Sequence, residues 1–187
     1  MGYDAYITKY SYTNKSNTII IHGDSSIEDI VNTILERYDE FNSIDLDSWC
    51  SNGRYWMDFI YDDINPSLRT KVDCGQYIVI RSATDYAQLC EAAVRLMETA
   101  TYQFGEVIYA MNDRHDDGSF HCFPVDGVIV QSEDGSVRHI WDEYGDGFLI
   151  PTVGEDQFNT IQQFVRAVLA AATTNWGNEF LILGGSY

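Results

Sequence analysis

Glu106–Trp141 reads EVIYAMNDRHDDGSFHCFPVDGVIVQSEDGSVRHIW. Four β-rich runs, Glu106–Asn112, Ser119–Phe123, Val128–Gln131 and Ser136–Trp141, are separated by short polar joints. Two of the joints, Asp116-Asp117-Gly118 and Glu133-Asp134-Gly135, end in a glycine that can take positive φ. That is the chemistry of a hairpin turn. Consecutive hairpins make neighbouring strands antiparallel. The stretch therefore predicts an antiparallel sheet, not the parallel sheet of alternating βα units.

Upstream, residues 3–10 and 17–22 read as a hairpin around Thr13-Asn14-Lys15-Ser16. Ser25 and Glu28 have capping-box spacing. Ile27, Ile30, Val31, Ile34, Leu35, Tyr38 and Phe41 then recur at helical spacing. Residues 42–53 are polar and read as a loop, and Arg54–Tyr61 and Gln76–Arg81 read as strands. A second helix over Thr84–Tyr102 carries the stripe Tyr86, Leu89, Cys90, Ala93, Met97 and Ala100. A third covers Asp156–Ala172, with Phe158, Ile161, Val165, Val168, Leu169 and Ala172 inward, and Glu179–Leu183 is a final strand. The order ββαββαββββαβ predicts a single α+β domain over residues 1–187. Its sheet is mostly antiparallel and carries three main helices.

Of the 187 residues, 45% are apolar, enough for a core. There are 29 acidic residues against 11 basic ones, a net charge of −18. Small domains usually carry a magnitude of roughly 2–8. The imbalance excludes a nucleic-acid binder that works through a basic surface, and it opposes adhesion to anionic membranes. Disorder is excluded too, because the chain holds 13 Tyr, 9 Phe and 4 Trp.

Duplex DNA carries one charge per about 1.7 Å of axis, so 18 charges match roughly 30 Å of duplex. A compact domain of this length is about 40 Å across. The charge suffices to imitate a duplex segment if it gathers on one side. Glu36, Asp39 and Glu40 are the leading patch, because they sit at the carbonyl end of the first predicted helix, where anions are disfavoured. Asp62, Asp63, Asp116, Asp117, Asp142 and Asp146 form further patches in predicted turns. These nine residues are the expected partner-binding set.

Two stretches carry enzyme-like chemistry. Ile19-Ile20-Ile21-His22-Gly23-Asp24-Ser25 resembles the first block of the GDSL (SGNH) hydrolases. The resemblance implies Ser25 as nucleophile on a parallel α/β fold. Met111-Asn112-Asp113 resembles that family's Gly-x-Asn-Asp block, with Ala110 in place of the glycine. The last histidine is His139, so the family's C-terminal Asp-x-x-His has no counterpart. Asp113-Arg-His115-Asp116-Asp117-Gly118-Ser-Phe-His121-Cys122 gathers metal-ligating types. Along a strand, however, His121 and Cys122 point to opposite faces.

No catalytic residue, metal or cofactor is therefore expected. Cys50, Cys74, Cys90 and Cys122 form no CxxC pair and are expected as free thiols in a reducing cytoplasm. The leading expectation is a non-catalytic nucleic-acid mimic of anti-restriction, anti-CRISPR or nuclease-immunity type. It acts as a monomer or dimer that fills the basic groove of a nucleic-acid-binding protein and contacts neither nucleic acid nor membrane. The alternatives are a GDSL-like or metal-dependent enzyme, and a halophile-type acidic domain whose charge reflects salt alone.

Overall fold

A computed structural model describes the backbone of residues 4–50, 53–104, 107–114, 120–124, 130–131, 137–138, 147–151 and 153–186, and the side chains of 4–49, 53–101 and 153–185. Elements run β1 (Asp4–Asn14), α1 (Ile27–Arg37), β2 (Phe41–Cys50), α2 (Arg54–Asp63), β3 (Arg69–Val72), β4 (Gly75–Ile80) and α3 (Ala83–Phe104). There follow β5 (Val107–Arg114), β6 (Phe120–Pro124), β7 (Val130–Gln131), β8 (Val137–Arg138), β9 (Gly147–Pro151), α4 (Glu155–Ala170) and β10 (Glu179–Ser186). The chain divides into two units, Met1–Glu98 with Asn159–Tyr187, and Thr99–Phe158.

The first unit is built on β10. Phe180, Leu181, Ile182 and Leu183 are all buried, as in a strand covered on both faces. The sheet order is β2-β1-β10-β4-β3, and every pairing is antiparallel. Ile7 lies opposite Leu183, and Leu183 opposite Ile78. Thr8 lies opposite Ile182, and Ile182 opposite Val79. Alternation then divides these residues between two faces.

One face carries Tyr10, Tyr77, Val79, Phe180 and Ile182, and is covered by Ile30, Val31 and Ile34 of α1 together with Phe41. The other carries Ala5, Ile7, Ile78, Leu181 and Leu183, and receives α2 through Trp56, Met57 and Ile60. The Trp56 ring stacks on Phe164 of α4 at 4.3 Å and meets Trp49 edge-on at 5.1 Å. Trp49 Nε1 donates to Gln163 Oε1 at 3.1 Å. The hydroxyl of Tyr86 on α3 donates to the Val168 carbonyl on α4.

The α+β architecture and its antiparallel sheet agree with the sequence expectation. Several elements differ. Arg54–Tyr61, expected as a strand, lies in α2, because Trp56, Met57, Ile60 and Tyr61 are the buried positions and follow helical spacing. Among the described residues there are thus four α-helices where three main ones were expected. Residues 42–50, expected as loop, belong to the edge strand β2, and an edge strand tolerates polar residues. Residues 17–22 form no full strand; Ile20 makes a single bridge to Thr13. Buried Asn14 organises that turn instead, its Oδ1 accepting from the Thr18 and Ile19 amides. The cap of α1 is Ser26 with Asp29, one residue beyond the expected Ser25 and Glu28. Both serines have an acid three residues on, so spacing alone could not choose. Leu35, Tyr38, Leu169 and Ala172, expected inside, are exposed.

The second unit contains a three-stranded sheet, β6-β5-β9, and the ribbon β7-β8. Both expected hairpin pairs, β5 with β6 and β7 with β8, are antiparallel. Strand β9, absent from the sequence reading, pairs with β5.

Phe164 is fully buried against two indoles. Phe164→Ala should lower unfolding free energy by about 3–5 kcal/mol, read from urea denaturation. A loss near zero would mean that the α4 contact does not anchor the sheet.

Burial raises the tyrosine pKa of Tyr6, Tyr10 and Tyr77, and carries Tyr86 up to about 12. These groups stay protonated when folded at a pH where the unfolded chain ionises them. Their contribution is complete below about pH 10 and is lost as pH rises above it. Thermal melts should fall steeply between about pH 10 and 12; a flat profile would contradict the burial.

Candidate functional site

The acidic excess is uneven along the chain. Residues 99–158 hold 12 acidic and 2 basic side chains, net −10; the rest of the chain holds 17 and 9, net −8. Among the described residues of the first unit, seven cations are engaged internally. Lys9 pairs with Glu179, Arg37 with Glu40, Arg54 with Asp58, Arg69 with Asp62, and Arg95 with Asp63 and Glu91. Lys71 lies over the Tyr61 ring. Lys15 Nζ donates to the Asp39 carbonyl at 2.9 Å.

Glu36, Asp39 and Glu40 are all exposed, but they do not all lie on a helix. The helix α1 ends at Arg37, and Tyr38–Glu40 form a single 3-10 turn. Lys15 reaches this carbonyl end through Asp39 O, and the Lys15 amide donates to Glu40 O. A cation at exposed carbonyls offsets much of the dipole penalty expected for anions there. A second base, Arg37, has its Nη1 3.9 Å from Glu40 Oε1 with both side chains half exposed. Pairs of that kind contribute little.

Two large apolar side chains stand among these carboxylates: Leu35 is 40% exposed and Tyr38 61%. Sequence periodicity placed both in the core, because they continue the stripe of Ile27, Ile30 and Ile34. The helical period breaks there: α1 ends at Arg37, Tyr38 opens the 3-10 turn, and the next buried residue of that cluster is Phe41.

Asp62 and Asp63 are at the end of α2, and α1 and α2 cover opposite faces of the sheet. The two expected patches therefore do not join. Asp63 is bridged by Arg95 Nη2 at 2.8 Å, and Arg95 has its pKa raised chiefly by that hydrogen bond. Asp62 contacts Arg69 at 3.5 Å, while Arg69 Nη1 also donates to the Tyr61 carbonyl. With Asp58 paired to Arg54, the groove lined by Tyr55, Asp58, Phe59, Asp62 and Asp63 is nearly charge-balanced. Asp116, Asp117, Asp142 and Asp146 lie outside the described residues.

Ser25 closes a turn, its amide donating to the His22 carbonyl at 3.0 Å. Its own carbonyl accepts from Arg81 Nη1. The five-stranded sheet around it is antiparallel, unlike the parallel sheet that the GDSL resemblance implies. Among the described residues no group of three His, Cys, Asp or Glu could hold a metal ion; the side chains of 113–122 are not among them. Cys74 and Cys90 are free thiols. No helix among the described residues is long and apolar enough to cross a membrane.

No protein-family model matches the chain, and it matches neither a curated protein nor a solved structure.

The two patches should differ in urea denaturation. Asp63→Asn should cost up to about 1 kcal/mol by breaking the Arg95 pair. Glu36→Gln should change stability by less than about 0.5 kcal/mol. The reverse order would show that the α1 carboxylate is structural.

Proposed function

We propose that the protein is a non-catalytic acidic binding protein that docks on the basic, nucleic-acid-binding surface of another protein and excludes nucleic acid from it. The observation that supports this most directly is the patch at the end of α1. Leu35 and Tyr38 are exposed among Glu36, Asp39 and Glu40; of the two bases beside them, Lys15 is held on the Asp39 carbonyl and Arg37 is 3.9 Å from Glu40. Partly exposed apolar groups provide contact area, and a tyrosine face accepts a guanidinium. The carboxylates add charge-assisted hydrogen bonds to Arg.

The charge of the second unit, 12 acidic against 2 basic groups, favours the same class of partner by steering encounter over longer range. In this reading the α1 patch supplies contact, while the second unit supplies field. The groove on α2 is secondary, because an incoming Arg must displace Arg54, Arg69 or Arg95.

Displacement of labelled duplex DNA tests the reading. The panel is a restriction endonuclease, a CRISPR effector nuclease and a secreted nuclease toxin, each preloaded with DNA. The protein should displace DNA from at least one, and less well as salt rises, since exposed pairs are screened within about 8 Å at physiological ionic strength. The triple variant Glu36→Gln, Asp39→Asn, Glu40→Gln should melt like the wild type and associate about three- to ten-fold more slowly. If no panel member releases DNA at low salt, or the triple variant associates at the wild-type rate, the proposal fails.

A further inference from the structure

A second concave feature lies at one end of the sheet, where the end of β1, the turn at His22–Ser25, the start of α3 and the segment 174–178 converge. It is a cleft of about 550 Å³ lined by Tyr12, His22, Arg81, Ser82, Asp85 and Trp176 among others. That volume is in the range of small-molecule sites.

Its walls are tied together. The Tyr12 amide donates to Asn178 O at 3.0 Å, and the Ile21 amide donates to Tyr12 O at 2.7 Å. The Tyr12 ring rests on Phe180 at 4.9 Å, and the Trp176 ring on Tyr86 at 5.5 Å. Both aromatic walls are thus backed by other rings, so little ordering is needed when a ligand enters.

Arg81 is unlike the paired arginines of this unit. Nη1 donates to two backbone carbonyls, Gly23 O and Ser25 O, each at 2.9 Å. Both Nη1 hydrogens are then used. No carboxylate among the described residues forms an ion pair with the guanidinium, in a chain with 29 acidic groups. The nearby carboxylate, Asp85, is engaged in the cap of α3: its Oδ2 accepts the Arg81 amide at 3.2 Å, and its amide donates to Ser82 Oγ at 3.1 Å. The side chain is held by one nitrogen, and Nε and Nη2 have no partner among the described residues. That edge forms two parallel hydrogen bonds with a carboxylate or phosphate.

We infer that this cleft binds a small ligand that combines a flat ring with a carboxylate or phosphate, the oxyanion on the Nε–Nη2 edge of Arg81 and the ring against Trp176 and Tyr12. Asp85, itself in the lining, opposes an anion, while screening confines the repulsion from more distant carboxylates to about one Debye length. The pinned guanidinium supplies the local attraction.

Titration of the ¹⁵N-labelled full chain, followed by NMR, tests this with four probes: benzoate, phenyl phosphate, inorganic phosphate and benzyl alcohol. Benzoate, phenyl phosphate or both should shift the Arg81 Nε–H and Trp176 Nε1–H signals, and the one that binds identifies the oxyanion. Benzyl alcohol and inorganic phosphate should each bind about ten-fold more weakly or worse. Arg81→Gln removes the bidentate edge together with the reach of Nη1 to the two carbonyls; it should weaken binding about ten-fold, with its fold checked by the ¹⁵N spectrum. Trp176→Ala should weaken phenyl phosphate and leave inorganic phosphate unaltered. The inference is overturned if neither ring acid shifts those two signals. It is also overturned if benzyl alcohol or inorganic phosphate binds as well as the ring acids, or if folded Arg81→Gln binds like the wild type. Should Arg81→Gln not fold, the probe comparison on the wild-type chain and Trp176→Ala still decide.

Discussion

Strand β10 holds the first unit together. It comes after every other strand in the chain, yet it sits at the middle of the sheet, between β1 and β4. Phe180 and Ile182 face the layer under α1, while Leu181 and Leu183 face the layer under α2. Both hydrophobic layers depend on the same four residues. The pairing of β1 with β10 joins positions more than 160 residues apart, from Asp4 with Ser186 to Ser11 with Glu179. Contacts of that separation close large loops before they are rewarded. Residues 99–158 enter within that loop, so the first unit is discontinuous in sequence.

The same sheet separates the acidic surface into parts. Covering both faces with helices puts the end of α1 and the end of α2 on opposite sides. The two ends then differ in how their charge is used. At α2, three arginines reach three aspartates. At α1, the cation Lys15 goes to a backbone carbonyl, and the carboxylates face water. Counting acids along the chain treats these ends alike. Their difference comes from Arg69 on β3, seven residues beyond Asp62, and from Arg95 on α3, 32 residues from Asp63, which the fold brings near.

Arg81 carries the same point further. It follows a buried strand and precedes a capped helix, and its neighbours in sequence suggest nothing beyond an ordinary basic residue. Only the turn at His22–Ser25, folded over from nearly sixty residues away, offers the two carbonyls that hold its Nη1. The stretch that resembles a hydrolase block thus supplies carbonyls to an arginine instead of a strand-borne nucleophile.

Sequence by itself determined the α+β class, the antiparallel pairing, and the existence of α1, α3, α4 and β10. Each rests on a local cause: a turn glycine, a capping serine, or a long apolar period. The acidic residues at 36, 39 and 40 were legible as a patch for the same reason, since five consecutive positions cannot be far apart. Tertiary structure decided what depends on the other side of a contact. RYWMDFIY alternates like a strand, yet it is helical because Trp56 finds Trp49 and Phe164. FNSIDLDSW looks like a loop, yet it pairs as an edge strand because β1 lies beside it. Tyr38 continues an apolar stripe, yet it faces solvent, because α1 ends at Arg37 and a 3-10 turn breaks the period. For α2 and β2 the local pattern allowed two states, and contacts distant in sequence chose between them.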